Sequence, residues 1–345
     1  MGQSARFRVL KNKNHLGGMH MPASWRQRCA IGALALLALI SCGPASAQQY
    51  PAQRITFVVA FAPGGVADTL ARLVAHGLET KLGQAVVVEN RPGAGGNVAA
   101  GVVAHAAPDG YTMLLTTTAL AINLTLHKRN QFTADDFKTV AITASSPEAL
   151  VANPANPAKN LAELVKAANG KSINFGSAGV GSGSHVEAEY FFKKIANISA
   201  VHIPYQGGAP AINALLANQI DVLATTLGGG AAAQIKAGKL RGLGIAADKR
   251  VTVTPDVPTY AEQGFPLFQA ASWVGIFAPA KTDPKIIAKL NAAVEDVLKD
   301  QAMQDKLATL GFDPIHGSPA EADAYFRAEA KKWGEMVNAL GLSIN

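Results

Sequence analysis

Two glycine-rich stretches, residues 62–68 and 89–97, contain the residue types most suited to binding chemistry. Each follows an apolar run with β-strand character, residues 55–61 and 85–88, and each precedes a helical pattern. A glycine turn between a strand and a helix leaves backbone N–H groups uncovered at the positive end of the helix dipole. Such turns are therefore suited to a small anion.

The first turn has the sequence Pro63-Gly64-Gly65, with Asp68 in the first turn of the predicted helix. Glycine permits a positive φ or the close approach of a ligand to the backbone. Asp68 either caps the helix or orients a ligand amine or a bound water. A tight turn with a helix-stabilising aspartate explains the same residues without a ligand, so the turn alone leaves both interpretations open.

A serine-rich loop, residues 176–185, repeats this arrangement between a predicted strand and a helical pattern. Its hydroxyl groups, on Ser177, Ser182 and Ser184, and its unhindered N–H groups form a suitable cradle for a carboxylate. A serine-rich N-cap loop is the alternative interpretation. His185 could donate a hydrogen bond to a ligand carboxylate, although a lone histidine is more often a structural hydrogen-bonding group.

A fourth junction, residues 203–210, again has a strand, a glycine turn and a helix, and Tyr205 there offers an apolar wall with a polar tip. Four such junctions indicate more than any one of them, because ligands bind at the carboxyl ends of strands in open α/β sheets. We therefore expect turns from two lobes to converge on a cleft.

Motifs of common enzymes are mostly missing from the sequence, which has no G-x-S-x-G nucleophile elbow and no P-loop. Residues 242–247 fit a dinucleotide fingerprint, but they lie in a strand-like run and do not open a helix. The histidines after residue 47 have no close metal-ligand spacing. We expect no catalytic residue, no metal and no cofactor. The rival hypothesis is an exported hydrolase or isomerase that uses Ser184 and His185.

Residues 1–47 are predicted to be an export signal peptide, which would place the mature protein in the periplasm. Arg26 and Arg28 precede an apolar run at residues 30–40, which is too short for a stable membrane span, and Ala45-Ser46-Ala47 provides a cleavage pattern. Cleavage after Ala47 is favoured.

Two alternatives remain for this leader. Residues 39–42 also resemble a lipoprotein cleavage box, which would leave a lipid on Cys42, and the true start could be Met1, Met19 or Met21.

Charge and cysteine content exclude several classes of function. The leader contains six of the 31 Lys and Arg residues and no acidic residue, so 25 basic and 24 acidic side chains remain. This balance gives no support to a nucleic-acid or membrane-surface role. Both cysteines, Cys29 and Cys42, also lie in the leader, so the mature chain has no disulfide. Its stability must come from burial of a core.

Apolar runs alternate with amphipathic stretches along the chain, which predicts an α/β fold with mainly parallel sheets flanked by helices. The first predicted helix places Leu70, Val74 and Leu78 on one face. Strands are predicted at residues 55–61, 85–89, 112–116, 140–144, 149–152, 173–176, 201–204, 220–224, 240–246 and 272–278. Long helices are predicted at residues 284–300 and 319–340.

The sequence contains no long linker, so two lobes would have to be joined by crossing strands. The candidate crossings are residues 142–152, where Ser145-Ser146-Pro147 separates two apolar runs, and residues 243–248. We predict a discontinuous domain I, residues 48–147 plus 247–345, and a domain II of residues 148–246.

In their order and spacing the motifs resemble the periplasmic solute-binding receptors of tripartite tricarboxylate transporters, often called Bug proteins. The resemblance covers essentially the whole chain after the leader. It is carried by Tyr50-Pro51, Pro63-Gly64-Gly65 with Asp68, Leu82-Gly83-Gln84, residues 89–97, residues 107–112, Ser177-Ala178-Gly179, Ser184-His185, Pro204-Tyr205 with Gly207, residues 237–241, residues 255–259 and Ser272-Trp273.

The resemblance implies a two-lobed clamshell of the periplasmic binding protein type, which holds a small organic carboxylate between its lobes by backbone amides and ordered waters. The expected partners are the ligand and either the membrane permease subunits of such a transporter or a sensor kinase, and the expected state is a monomer. The candidate ligand-binding residues are Pro63, Gly64, Gly65, Asp68, Thr118, Ser177, Ser182, Gly183, Ser184, His185, Tyr205, Gly208, Ala209 and Thr226.

The chain departs from the family pattern near the expected pocket. Members usually have an aromatic–Asp–Asn run where this chain has Ala224-Thr225-Thr226, so an acidic contact is expected to be lost. Gln206 replaces a common lysine, and Val66-Ala67 replaces Gly-Thr or Gly-Ser. These changes prevent the transfer of any one relative's ligand to this chain, and the loss of the acid argues against a ligand whose amine needs a counter-charge.

Overall fold

The fold follows the alternation of apolar runs and amphipathic stretches. A computed structural model describes residues 50–168, 170–266 and 269–345, and the predicted export signal lies outside them. Within these ranges the strands are β1 Ile55–Val59, β2 Val86–Asn90, β3 Thr112–Thr117, β4 Phe137–Ala152, β5 Ile173–Ser177, β6 Ala200–Pro204, β7 Val222–Thr226, β8 Arg241–Ile245, β9 Ala271–Pro279 and β10 Asp313–Pro314.

The helices begin and end where the sequence supplies caps. Ser318 caps the last helix in a reciprocal pair with Glu321, and Gly83 ends the first helix in a left-handed conformation. The α-helices of the described ranges are α1 Val66–Leu82, α2 Asn97–Ala104, α3 Ala119–Leu126, α4 Leu161–Ala167, α5 Gly183–Tyr190, α6 Gly208–Leu216, α7 Ala232–Lys236, α8 Pro284–Leu298, α9 Gln301–Leu310 and α10 Pro319–Leu340.

The first lobe is built on the strand order β2-β1-β3-β9-β4. The strands β2, β1 and β3 are parallel, whereas β9 is antiparallel to both β3 and β4. Helix α1 buries Leu70, Val74 and Leu78 against this sheet, as its apolar spacing predicts.

The second lobe repeats the arrangement with other strands. Its strands β6, β5 and β7 are parallel, and the end of β4 pairs antiparallel with both β7 and β8. Each lobe therefore has three parallel strands next to antiparallel strands, and the predicted two-lobed α/β clamshell is confirmed.

Strand β4 belongs to both lobes. From Phe137 to Pro147 it pairs with β9, and from Glu148 to Ala152 it pairs with β7 and β8. The prediction that Ser145-Ser146-Pro147 separates two strands is wrong, because these residues continue one strand of 16 residues. Pro147 is tolerated there because it lies at the end of the ladder with β9, opposite Ala271.

The chain returns from the second lobe to the first beside Glu148 of β4, where main-chain hydrogen bonds hold it. The N–H of Glu148 donates to the carbonyl of Ala270. The N–H of Ala246 donates to the carbonyl of Glu148, and the N–H of Ala270 donates to the carbonyl of Ala246. Residues beyond Ala246 also remain close to β8, since Thr259 forms a bridge with Ile245. The domain boundaries at residues 147/148 and 246/247 stay a prediction.

One carboxylate on helix α10 accepts hydrogen bonds from two buried indoles. Glu329 on α10 accepts hydrogen bonds from the indole N–H of Trp273 on β9, at 3.2 Å, and of Trp333 on α10, at 2.9 Å. Both indole side chains are fully buried. Because buried N–H groups need acceptors, this carboxylate allows two tryptophans to pack in one core.

Candidate functional site

The turns at the carboxyl ends of β1, β3, β5 and β7 converge between the two lobes. They line a cavity of about 30 Å³, with Glu148 of β4 and Ser272 of β9 at its base. The cavity is lined by Phe61, Gly65, Val66, Ala67, Thr117, Glu148, Ala178, Ser182, Gly183, Ser184, Gly208, Thr225, Thr226 and Ser272. Among these lining residues there is no Lys, Arg or His.

Three helix N-termini border this cavity. Helix α1 begins at Val66 after Gly65, α5 begins at Gly183 after Ser182, and α6 begins at Gly208. The first N–H groups of an α-helix have no acceptor within the helix, and the helix dipole places partial positive charge there. These N-termini therefore bring partial positive charge to the cavity, although none of its lining residues is basic.

The serine hydroxyls in the loop before α5 are engaged in holding that loop. Ser182 Oγ accepts from the N–H of His185 and donates to the carbonyl of Gly179, and Ser184 Oγ accepts from the N–H of Ala178. The two hydroxyls also lie 3.1 Å apart. They consequently fix the direction of the amides at the start of α5.

The structure brings together six of the residues predicted to bind a ligand. Those that line the cavity are Gly65, Ser182, Gly183, Ser184, Gly208 and Thr226. A seventh, Tyr205, lines a neighbouring cavity of about 260 Å³ that shares Phe61 and Ala178 with the first. The remaining candidates, Pro63, Gly64, Asp68, Thr118, Ser177, His185 and Ala209, are not among the lining residues of either cavity. Whether these residues contact ligand stays a prediction.

The predicted ligand-binding residues that line neither cavity support the turns around the first cavity. Thr118 Oγ1 is 3.1 Å from Ser272 Oγ, which ties the end of β3 to β9. Pro63 and Gly64 are exposed at the tip of the first turn, and a Cβ placed on Gly64 would lie 3.5 Å from the Cβ of Ala209 on α6. The first turn of one lobe thus touches the start of α6 in the other.

Asp68 holds the first glycine turn instead of pointing into the cavity. Its carboxylate accepts from the N–H of Gly64 at 2.9 Å, from the guanidinium of Arg72 at 2.9 and 3.0 Å, and from Asn90 Nδ2 at 2.9 Å. Burial alone would raise the pKa of Asp68, but the hydrogen bonds from Arg72, Gly64 and Asn90 outweigh it and lower that pKa. Its role is that of a structural anchor for the turn.

We expect Asp68→Asn to lower the free energy of unfolding by about 1–2 kcal/mol at pH 7, because the charge-assisted bonds to Arg72 and Gly64 are weakened. The pKa of Asp68 is lower when folded than when unfolded, so its stabilisation is present above the unfolded value, about 3.9, and is lost as the pH falls through the folded value. Urea unfolding of both proteins from pH 7 to pH 3 should show their difference become smaller below about pH 4; a constant difference would contradict this assignment.

His185 stacks on a second histidine. The rings of His185 and His202 are 4.1 Å apart, the Nδ1 atom of His185 accepts from the N–H of Gly181, and His202 Nε2 lies 2.6 Å from the hydroxyl of Ser177. Burial, together with the proximity of His202 and Lys193, lowers the pKa of His185 to about 3, and burial lowers that of His202 to about 4. Both rings are neutral at pH 7. They stack on each other and form hydrogen bonds with Gly181 and Ser177 of the loop before α5.

This arrangement does not build the nucleophile–base pair of the rival hydrolase hypothesis. The Ser184 hydroxyl is bonded to Ala178 and Ser182, and the Nδ1 atom of His185 to Gly181. Among the hydrogen bonds of the described residues, none joins Ser184 to His185. The geometry that a serine nucleophile needs is not formed by these two side chains.

Sequence reasoning missed Glu148, the acidic residue of the cavity. It lies on β4, is fully buried, and its carboxylate oxygens are each 3.3 Å from the hydroxyl of Thr226. The cavity therefore does contain an acidic side chain, although it comes from β4 and not from the end of β7. The one acidic residue inside the largely apolar stretch that becomes β4 was the signal that could have identified it.

The rims of the two lobes meet through glycines. A Cβ placed on Gly95 would lie 1.9 Å from the carbonyl oxygen of Val180, and one on Gly181 would lie 2.1 Å from Oδ1 of Asn123. The N–H of Ala62 also donates to the carbonyl of Gln206 across the cleft. The close approaches at Gly95 and Gly181 are possible only because a glycine has no side chain.

The described part of the chain offers neither a metal-ligand cluster nor a membrane-spanning helix. Within it, His, Cys, Asp and Glu side chains form no group of three that could hold a metal ion. The helices of the described ranges also include none with both the length and the apolar character that a membrane span requires.

An α/β clamshell with helix N-termini around an interlobe cavity is the architecture of a solute-binding protein. Residues 70–342 match the family described as "Tripartite tricarboxylate transporter family receptor", and the chain belongs to this family of periplasmic solute-binding proteins.

Individual relatives agree with this family. The protein BugT of Bordetella pertussis is 36% identical over 312 residues, which cover 87% of this chain and 93% of BugT. The structure of MatC from Rhodopseudomonas palustris with bound malate is 34% identical with a TM-score of 0.79, and covers 84% of this chain and 100% of MatC. The R. palustris protein Rpa4515 with adipate is 30% identical with a TM-score of 0.82, and covers 86% of this chain and 99% of Rpa4515.

Proposed function

We propose that this protein is a periplasmic receptor that binds a small organic carboxylate between its two lobes. The observation that carries the proposal is the convergence of the N-termini of α1, α5 and α6 on a cavity whose lining residues include no basic side chain. Two relatives, MatC with malate and Rpa4515 with adipate, support a carboxylate ligand.

Backbone amides alone can supply the affinity that such a receptor needs. A hydrogen bond to a charged group contributes about 1.5–3 kcal/mol. Three or four of these bonds, less the cost of ordering the ligand, give a binding free energy of about −8 kcal/mol, which corresponds to a micromolar dissociation constant. No arginine in the cavity is required.

Binding on this proposal includes an opening and a closing of the lobes. The rims of the lobes are in contact, through the Ala62 N–H on the Gln206 carbonyl and through Gly95 beside Val180, so on this proposal a dicarboxylate enters when the lobes separate. The loops of both lobes then close on the ligand. In the proposed role, the receptor acts as a monomer and delivers its ligand to the permease of a tripartite tricarboxylate transporter or reports it to a sensor kinase; recovery of one or the other from membranes with the loaded receptor distinguishes the two.

A thermal melting assay tests the proposal. A ligand that binds only the folded state, at 100 times its dissociation constant, stabilises that state by about 2.7 kcal/mol, which raises the melting temperature by about 5 °C. We expect at least one of malate, adipate, citrate and benzoate to produce such a shift, and the uncharged amide of the same acid to produce none. If no carboxylate in a broad panel changes the melting temperature, the proposed function is wrong.

A further inference from the structure

The side chain of Glu148 lies at the base of the cavity, beside the start of α5. A Cβ placed on Gly183, the first residue of that helix, would lie 2.8 Å from Oε1 of Glu148. The hydroxyl of Thr226 is 3.3 Å from both carboxylate oxygens and can donate to only one of them. The fully buried carboxyl group therefore faces the place where a ligand would meet the α5 amides.

Among the described residues, no positive side chain compensates this carboxyl group. Thr226 of β7 and Ser272 of β9, which line the same cavity, are not titratable. The titratable groups that face Glu148 are Glu187 of α5 and Tyr260, whose hydroxyl donates to Glu187 at 2.6 Å. Ionised Glu148 would therefore meet a second carboxyl group and no cation in the described part of its surroundings.

Two influences act on the charge of Glu148. Burial and the proximity of Glu187 raise its pKa well above the usual range, and burial also raises the pKa of Glu187 to about 7. The partial positive charge at the start of α5 acts in the opposite direction, because it stabilises a nearby anion. A ligand carboxylate that occupies the same helix N-terminus removes this support and adds a repelling charge.

We propose that Glu148 determines specificity by donating a hydrogen bond, as a neutral carboxyl group, to the carboxylate of the ligand. The inference rests on the proposed function. Above the pH at which the free receptor loses this proton, binding takes one proton from solvent: the Glu148 carboxylate becomes a carboxylic acid whose O–H donates to the ligand's carboxylate oxygen. A site of this kind selects an anionic carboxylate over a ligand that brings an ammonium group.

The proposal predicts a pH dependence with a defined sign. The protonated receptor binds and the ionised receptor does not, so affinity is highest at low pH and falls as the pH rises past the pKa of free Glu148. Where binding takes up one full proton, the dissociation constant increases about tenfold per pH unit. Malate and adipate are fully ionised above pH 6.5, so their own titration does not contribute in this range.

Isothermal titration calorimetry with malate and adipate, from pH 6.5 to pH 9, tests the proposal. Parallel titrations in phosphate and in Tris, whose ionisation enthalpies differ, count the protons taken up. For the unchanged protein we expect weakening with pH and an uptake that approaches one proton. Glu148→Gln, which keeps a neutral donor, should bind within about threefold of the unchanged protein at pH 6.5 and show neither effect.

Glu187→Gln is the matched control, because Glu187 is buried beside Glu148 but does not line the cavity. The substitution removes the repulsion between Glu187 and Glu148, which lowers the pKa of Glu148 in the free receptor. Proton uptake on binding should therefore persist and begin at lower pH. A merely structural Glu148 would give a Gln variant that is weaker by the same factor at every pH.

Three results would overturn the proposal. If malate or adipate binds with an affinity independent of pH and without proton uptake, and Glu148→Gln is weaker than the unchanged protein by the same factor at every pH, the proposal is wrong while the proposed function stands. If aspartate binds more tightly than malate and Glu148→Gln abolishes its binding, Glu148 is an ionised partner for an ammonium group. If no organic acid binds at any pH, the proposed function fails, and the inference with it.

Discussion

Gly95→Ala is expected to weaken binding of the organic acid that gives the largest melting shift by about 10- to 100-fold. The new methyl group would lie 1.9 Å from the carbonyl oxygen of Val180, a backbone atom of the opposite lobe. Relief requires the rims to separate, and overpacking of a tight contact costs about 1–3 kcal/mol, of which every 1.4 kcal/mol is a tenfold change in affinity. Calorimetric titration of the variant measures this loss directly.

Gly83→Ala is the matched control for this experiment. Gly83 has φ of +67°, close to the +61° of Gly95, but a Cβ placed there meets nothing within 4 Å. Both variants therefore pay a similar backbone strain of about 1 kcal/mol, and only Gly95→Ala obstructs the contact between lobes. Equal dissociation constants for the two variants would show that the closed rim contributes nothing to binding.

Glu329→Leu is expected to lower the free energy of unfolding by about 2–5 kcal/mol. The substitution removes the acceptor shared by the indole N–H groups of Trp273 and Trp333, and each buried donor left unpaired costs about 1–3 kcal/mol. Urea unfolding followed by tryptophan fluorescence measures the change, because both indoles report on this core.

Two further variants separate the hydrogen bonds of Glu329 from other effects of the substitution. Glu329→Gln keeps an oxygen acceptor and should lose less than half as much stability. Glu335→Leu places leucine at an exposed position of the same helix and should change stability by less than about 0.5 kcal/mol. If Glu329→Leu is no more destabilising than Glu335→Leu, the two indole bonds do not hold α10.

Much of the fold could be predicted because its strands are local apolar runs with glycine turns. The predicted strand at residues 173–176 is β5, and the predicted helix at residues 319–340 is α10. Strand β4 could not be predicted as one element, since proline and serine ordinarily end a strand. Its continuity depends on partners that are far away in sequence, β9 on one side and β7 on the other.

The candidate site divides in the same way. The turns at Gly65 and Gly183 could be predicted because a strand, a glycine and a helix are neighbours in sequence. The hydrogen bonds of Asp68 to Asn90 and the stacking of His185 on His202 join separate elements, so neither could be deduced from spacing. Glu148 reaches the cavity only because β4 crosses from one lobe to the other.

The continuity of β4 determines how far different points of the molecule can travel. In the proposed opening motion the strand shared by both lobes is the pivot, so residues beside it, such as Glu148 and Ser272, change separation little. The loops that contain Gly95 and Val180 lie at the rims, away from this pivot, so they move the most. Spin labels at these loops would therefore report the full amplitude of the motion, while a pair next to the pivot would register almost none.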